Sequence, residues 1–423
     1  MVKNLTLFIF FLLLSFRLSL ADNVEEKWPN GKVSKKYSTD LQNKKTGAYS
    51  EFFENGQIKI KTTYKNDLLE GFYYEFLEDG NKRVATQYSK GLKNGFHRTY
   101  DKGNLLKEEI WVEGCLAFPK SIAEINQTFL NIKKLNVEFV GEWPKEFNAD
   151  RFTKSIENDN IAGLTKLREY RYLCDLPYED LQIHKTYIAH DLNAVLILNK
   201  LKGLSHTPKN PGVPEDIYTS GYQGTSQSNL TWSNYGMCAP LSVDIYMDDS
   251  ETTNLERLGH RRWCLNPSMK LTGFGLEENF SAMWSCNNSR EQIPDFDFIS
   301  FPCKGFMPNS HFKAIDAWSV SVNSKYYQIP DKTLVKIQIY SIKEAAKTEL
   351  KISYQNIDFT PIGIDNCIIF KPENISISPK SRYFVSISGL QDKNLKDTKI
   401  EYFVEFFETK ASSQNKSVNK SQQ

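Results

Sequence analysis

Histidine is the side chain best suited to proton transfer or metal ligation near neutral pH, and this chain has six of them: His97, His184, His190, His206, His260 and His311. His184 and His190 lie six positions apart in a helical pattern. Six residues turn a helix through about 600°, so the two do not share a face. His97 falls in a repeated strand and His311 follows a Pro-Asn-Ser turn; both read as surface residues. His206 and His260 have the more promising setting. His206 sits in Gly203-Leu204-Ser205-His206-Thr207-Pro208, just after a helical segment, and His260 opens His260-Arg261-Arg262-Trp263-Cys264-Leu265-Asn266-Pro267. Glu256 stands four residues before His260. On a helix those two share a face, so the carboxylate can fix the imidazole tautomer or co-ligate a metal. Glu215, Asp248, Asp249 and Glu251 are further candidate acids. Imidazole with carboxylate suits zinc or another divalent cation. Arg261 and Arg262 read as anchors for the loop that follows rather than substrate contacts.

Other active-site patterns fail. There is no H-E-x-x-H, no phosphate-binding loop and no dinucleotide fingerprint. Gly224-Thr225-Ser226-Gln227-Ser228 starts like a nucleophile elbow but ends on Ser where Gly is needed. The seven cysteines, at 115, 174, 238, 264, 286, 303 and 367, include no C-x-x-C, and so give neither a zinc ribbon nor a thioredoxin-type pair. Their odd number leaves at least one without an intramolecular partner. The cluster Cys238, Cys264, Cys286 and Cys303 is the expected source of any disulfides.

The pieces around the histidines resemble the CAP domain of the cysteine-rich secretory, antigen 5 and pathogenesis-related-1 superfamily. In order come a helical segment from Asn158 stopped by Asp175-Leu176-Pro177, a second from about Gln182 to Lys200, the Leu204-Ser205-His206 segment, and His260-Arg261 running to Leu265-Asn266-Pro267. Gly273-Phe274-Gly275 follows. The likeness covers about a third of the chain. It implies a three-layer α-β-α sandwich whose two histidines line one surface cleft, often with two acids and sometimes with a divalent metal. The sequence departs from the family in two places. The stretch from Gly221 to Leu230 has no acid where the family carries one. Asn279 stands where eukaryotic members place a histidine before their aromatic strand.

Around this centre lie segments of different pattern. Residues 28–114 repeat with a 24-residue interval, marked by Gly47, Gly71 and Gly95. Their aromatic-polar alternation is that of half-buried strands. Asn30-Gly31, Asn55-Gly56 and Asp79-Gly80 read as two-residue hairpin turns with both central residues at positive φ. The expected structure is an antiparallel β-hairpin repeat sheet, resembling MORN-type repeats. Tyr49 and Phe72-Tyr73-Tyr74 offer rings for a repeat core or a binding strip. Residues 115–157 form a connector with a helix over 121–134 and a strand over 135–140. The CAP-like domain takes 158–304, and the alternating runs of 313–408 predict a small immunoglobulin-like β-sandwich. Residues 409–423 are Ser-, Asn-, Gln- and Lys-rich and are expected to be a disordered tail.

Residues 1–21 read as a signal peptide: Lys3, an apolar run from Leu5 to Phe16, then Ser19-Leu20-Ala21 before a cleavage point. No later run is long enough to span a bilayer. The expectation is a secreted or periplasmic multidomain protein. Lys and Arg total 53 against 51 Asp and Glu, a net charge of +2, which gives no concentrated basic composition for nucleic acid. Binding of a small molecule, a lipid or a cell-wall or cell-surface component in the histidine cleft is the leading expectation, with the repeats as an interaction module for a protein partner. A metal-assisted hydrolase or peptidase in the same cleft and a purely structural surface protein are the alternatives. No catalytic residue is assigned.

Overall fold

A computed structural model describes residues 22–112, 114–343 and 346–409. The expected signal peptide and all but the first residue of the expected tail lie outside those residues. The chain forms two compact units, divided between Leu116 and Ala117.

The first unit is one antiparallel sheet. Strands Asp22–Lys27, Val33–Thr39, Lys45–Phe52, Ile58–Lys65, Gly71–Phe76, Lys82–Ser89, Leu92–Asp101, Asn104–Val112 and Cys115–Leu116 follow one another in chain order. The predicted hairpin ladder is therefore present, but its turns differ from the reading of the Asn-Gly and Asp-Gly pairs. Gly56 and Gly80 have φ of 94° and 84°, whereas Asn55 and Asp79 are not at positive φ. The Gly56 amide donates to Phe53 O, and the Phe53 amide donates to Gln57 O. That pattern is a type I turn followed by a glycine bulge. Asn or Asp is favoured before the glycine because its side chain caps the bulge: Asn55 Oδ1 accepts from the Gln57 amide at 2.8 Å, and Asp79 Oδ1 from the Asn81 amide at 2.9 Å. True two-residue turns, with both central residues at positive φ, occur at other hairpins of the sheet, Lys102-Gly103 among them. Asn66-Asp67, with φ of 53° and 65°, joins the paired residues Lys65 and Leu68. Rings pack across strands on both faces, with Tyr49 against Tyr37 and Tyr64 on one and Phe72 against Phe96 on the other.

The second unit opens with helix α1 (Ile122–Ile132), where Ser121 and Glu124 form a reciprocal capping box. Helix α2 (Lys154–Leu173), capped by Thr153, starts four residues before the expected Asn158 and stops with Cys174 just before Asp175-Leu176-Pro177, as its sequence predicts. Helix α3 (Lys185–Leu201) begins three residues later than expected, because Gln182–His184 is a strand in a small parallel sheet with Phe139–Val140 and Leu271–Thr272. Helix α4 (Glu215–Gln227) covers most of the stretch that was compared with the family's acidic segment. It leads directly into strand Ser228–Trp232, paired with Phe280–Trp284. Helices α5 (Ala239–Asp248) and α6 (Gly259–Cys264) follow.

The later residues form a four-stranded and a five-stranded sheet. Trp318, fully buried, packs edge-on to Tyr383 and against Phe370 between them. A boundary at 304 cuts this arrangement. Strand Phe298–Phe301, assigned by sequence to the CAP-like segment, pairs with Trp318–Val322. One buried cluster runs from Ile125 on α1 to Phe407 in the last strand. The helical and strand-rich segments thus share a core, and residues 117–409 fold as a single compact unit. The chain is multidomain and strand-rich, and among the described residues no helix is long and apolar enough to cross a membrane.

Candidate functional site

His206 follows the C-terminus of α3, where Lys202 adopts a left-handed conformation and turns the chain. The end of α4 lies beneath it. The His206 ring Nδ1 is 2.6 Å from Thr225 O, and the Thr225 hydroxyl donates to His206 O at 3.4 Å. A carbonyl oxygen only accepts, so Nδ1 carries a proton, and in the neutral ring Nε2 is the acceptor.

His260 is the second residue of α6. Its Nδ1 lies 2.8 Å from Asp249 Oδ1, a carboxylate whose side chain is wholly buried. The carboxylate's other oxygen accepts the Arg261 amide at 3.2 Å. Asp249 can reach both because it ends α5 in a left-handed turn, φ 45°. A carboxylate oxygen likewise only accepts, so Nδ1 carries a proton, and in the neutral ring Nε2 is the acceptor. Asn229 donates to His260 O at 3.0 Å, and the Tyr246 ring packs at 5.6 Å, so the backbone and ring of His260 are held from two sides.

Both histidines line the same two adjoining hollows, of about 390 and 460 Å³, and Thr253 and Asn254 also border both. The sequence pair is therefore brought together. The predicted acids fare differently. Glu256 borders one of these hollows, but α6 begins only at Gly259, so it does not share a helical face with His260. Asp249 holds the imidazole instead. Glu215 is the first residue of α4 and borders a different hollow with His190 and Ser220; it does not join the pair. Asp248 and Glu251 do line the cleft.

As a metal centre the cleft offers two imidazole nitrogens with their outer hydrogen bonds in place. Among the described residues no three His, Cys, Asp or Glu side chains converge to hold an ion. Two ligands fall short of the three that a catalytic zinc requires from the protein, so the residues present do not fit such a centre.

The arginines after His260 are anchors, but of segments other than the loop that follows them. Arg261 is 1 % exposed and donates to Met247 O, Asp248 O, Ala317 O and Ser319 Oγ. Arg262 donates to Ile364 O and Thr360 O and pairs with Asp358. They tie α6 to the strand-rich segment and so fix the wall that carries His260. Next to this wall, Asp316 is buried with Oδ1 unpartnered, while Oδ2 accepts the Lys313 amide at 2.8 Å. Burial and the neighbouring Asp248 charge push its carboxyl up to about 7. Asp248 pairs with Lys313 at 2.7 Å and is held below the usual carboxylate range despite its own burial.

The remaining chemistry-bearing residues lie elsewhere. His311, expected on the surface, is buried: its Nε2 is 3.0 Å from Glu169 Oε2 and 3.2 Å from Lys166 Nζ. Burial drives its pKa down. Cys174, Cys238, Cys264, Cys286, Cys303 and Cys367 are free thiols, and Cys264, Cys303 and Cys367 are each sealed in the interior. Cys286 borders the cleft, but burial pushes its thiol up to about 11, which leaves it protonated and a poor nucleophile at neutral pH. Sequence reasoning missed the Thr225 carbonyl, for which no side chain gives a signal, and two tryptophans at the cleft, Trp232 and Trp263.

No family model and no curated protein matches the chain. Among solved structures it is similar to the crystal structure of selenomethionine PcoC, a copper resistance protein from Escherichia coli, at 8% identity and a TM-score of 0.18, over 25% of this chain and 94% of that one. A likeness of that size carries no argument about this chain.

Proposed function

We propose that this is an exported binding protein, secreted or periplasmic, in which a CAP-like domain recognises a ligand through the His206–His260 cleft and the N-terminal repeats act as an interaction module. One observation carries the reading. Each imidazole commits its Nδ1 proton to a fixed acceptor, Thr225 O or Asp249 Oδ1, so that in the neutral ring Nε2 is the remaining acceptor, and both residues line the same cleft. Two pre-oriented acceptors in a half-open hollow suit recognition of a ligand's hydroxyl or amide protons, because neither ring must reorganise on binding. The cysteine beside them is protonated at neutral pH, and no third metal ligand stands with the imidazoles among the described residues. Binding therefore accounts for the cleft more simply than metal-assisted hydrolysis does.

The test uses the full chain against immobilised panels of glycans, lipids and cell-wall fragments, before and after exhaustive chelation. The wild-type protein is expected to retain one ligand class in both conditions, and the His206→Ala/His260→Ala double variant to lose it with its unfolding midpoint unchanged. Binding that survives the double substitution contradicts the reading. Loss on chelation, restored by zinc together with hydrolysis of the bound material, transfers the cleft to the hydrolase alternative.

A further inference from the structure

The two hollows meet at the histidines and are not equivalent elsewhere. His206, His260, Thr253 and Asn254 border both, so these four residues form the waist of a single groove. Each arm holds one tryptophan that the other lacks. Trp232, the last residue of strand Ser228–Trp232, lies in one arm and is 50% exposed. Trp263, three residues beyond His260 on α6, lies in the other and is partly exposed. Trp232, half in water in a groove of mixed apolar and polar lining, buries little of its own surface in the fold, and Trp263 leaves part of its ring uncovered. Each offers a flat apolar face to whatever enters.

Resting on the binding reading above, we propose that the groove takes an uncharged glycan chain, which stacks on Trp232 at one side of the histidine waist and on Trp263 at the other. Three features select this ligand class. The platforms suit the apolar face of a pyranose ring. The groove between them is lined by hydroxyls and an amide, Thr231, Thr253 and Asn254, which pair with sugar hydroxyls in either direction. The open Nε2 atoms at the waist accept two more hydroxyl protons. Asp248, Asp249 and Glu251 outnumber Lys313 in one arm, and Glu256 balances Arg257 in the other. Neither arm therefore has the positive field that a polyanion would need. Because the platforms flank the waist, a single sugar can engage only one of them, whereas a chain can engage both.

The experiment measures tryptophan fluorescence and calorimetric affinity of the full chain for β-1,4-linked glucose oligomers and N-acetylglucosamine oligomers of one to six units. One series is expected to bind with affinity that rises at least tenfold between the disaccharide and the pentasaccharide and then levels off. Trp232→Ala and Trp263→Ala are each expected to reduce long-oligomer affinity about tenfold, to that of the short ones. Trp263→Phe, which keeps a smaller platform, should recover part of the loss. Affinity independent of chain length, or unaffected by both tryptophan substitutions, overturns the proposal. So does tryptophan-dependent binding of an extended peptide library in place of either glycan series. The two readings fail separately. If oligomers bind through both tryptophans but the His206→Ala/His260→Ala variant binds equally well, the groove stands and the histidine reading falls. If no oligomer binds while another ligand is lost in the histidine variant, the glycan proposal falls alone.

Discussion

Replacing Asp316 with Asn should stabilise the protein in alkali and do almost nothing in acid. Asp316 is 4% exposed, with one carboxylate oxygen bonded to the Lys313 amide and the other unpartnered. Asp248 lies alongside as a second carboxylate, held ionised by Lys313. Burial, and then the Asp248 charge, raise the Asp316 carboxyl from 3.8 to about 7. The folded chain therefore binds this proton more tightly than the unfolded chain does. The associated stability is fully present below about pH 4 and is lost as pH climbs through about 7. A rise of roughly three pKa units corresponds to at most about 4 kcal/mol. Asp248 beside it shifts the other way and returns part of it, so about 2 kcal/mol is the expected net effect. Asn keeps the acceptor for the Lys313 amide and turns an N–H toward Asp248 without a charge. Urea unfolding followed by circular dichroism at pH 4 and pH 8 makes the comparison. The variant should match wild type within about 0.5 kcal/mol at pH 4 and exceed it by about 2 kcal/mol at pH 8, a rise in midpoint temperature of roughly 4 °C. Equal differences at the two pH values, or a less stable variant at pH 8, would refute the reasoning.

Arg261→Met should destabilise the second unit by about 3–5 kcal/mol, because it leaves the carbonyls of Met247, Asp248 and Ala317 buried without their donor; urea midpoints measure it, and a loss under 1 kcal/mol would show that water replaces the guanidinium. Gly224→Ala should cost about 3 kcal/mol, since the added Cβ would meet His190 O at 2.4 Å where α3 and α4 touch; an unchanged unfolding curve would mean the helices separate without strain. Asp249→Ala should lower affinity for any cleft ligand by about 10- to 100-fold while leaving His206 unaffected; calorimetry with whichever ligand the panels identify checks it, and wild-type affinity would show that the carboxylate does not position His260.

The parts of the fold that sequence conveys well here are those governed by local periodicity. The 24-residue spacing of Gly47, Gly71 and Gly95 gives the ladder, because each hairpin repeats one local pattern. The α2 stop at Asp175-Leu176-Pro177 is equally local. Turn type was less legible: Asn-Gly serves both a two-residue turn and a type I turn with a glycine bulge, and the Phe53–Gln57 bonding that decides between them depends on strand register. Strand Phe298–Phe301 was invisible as part of the later sheets because it is a short apolar run whose partner, Trp318–Val322, lies across a turn-rich segment. The site shows the same division. The convergence of His206 and His260 was anticipated from a resemblance, whereas the choice of Asp249 over Glu256 depends on one left-handed residue at the end of α5 and on α6 starting at Gly259. Nothing in His311's neighbourhood in sequence predicts Glu169, 142 positions away, as its buried partner.

Long-range proton–nitrogen correlation spectra of uniformly ¹⁵N-labelled protein at pH 7.5, assigned with single His→Gln variants, report which ring nitrogen carries each proton. His206 and His260 should both be Nδ1–H tautomers with bare Nε2 atoms, and one added cleft ligand should shift both Nε2 signals together. Nε2–H tautomers at either residue, or a ligand that moves one ring and leaves the other untouched, would contradict the pairing of these two imidazoles in a single recognition cleft.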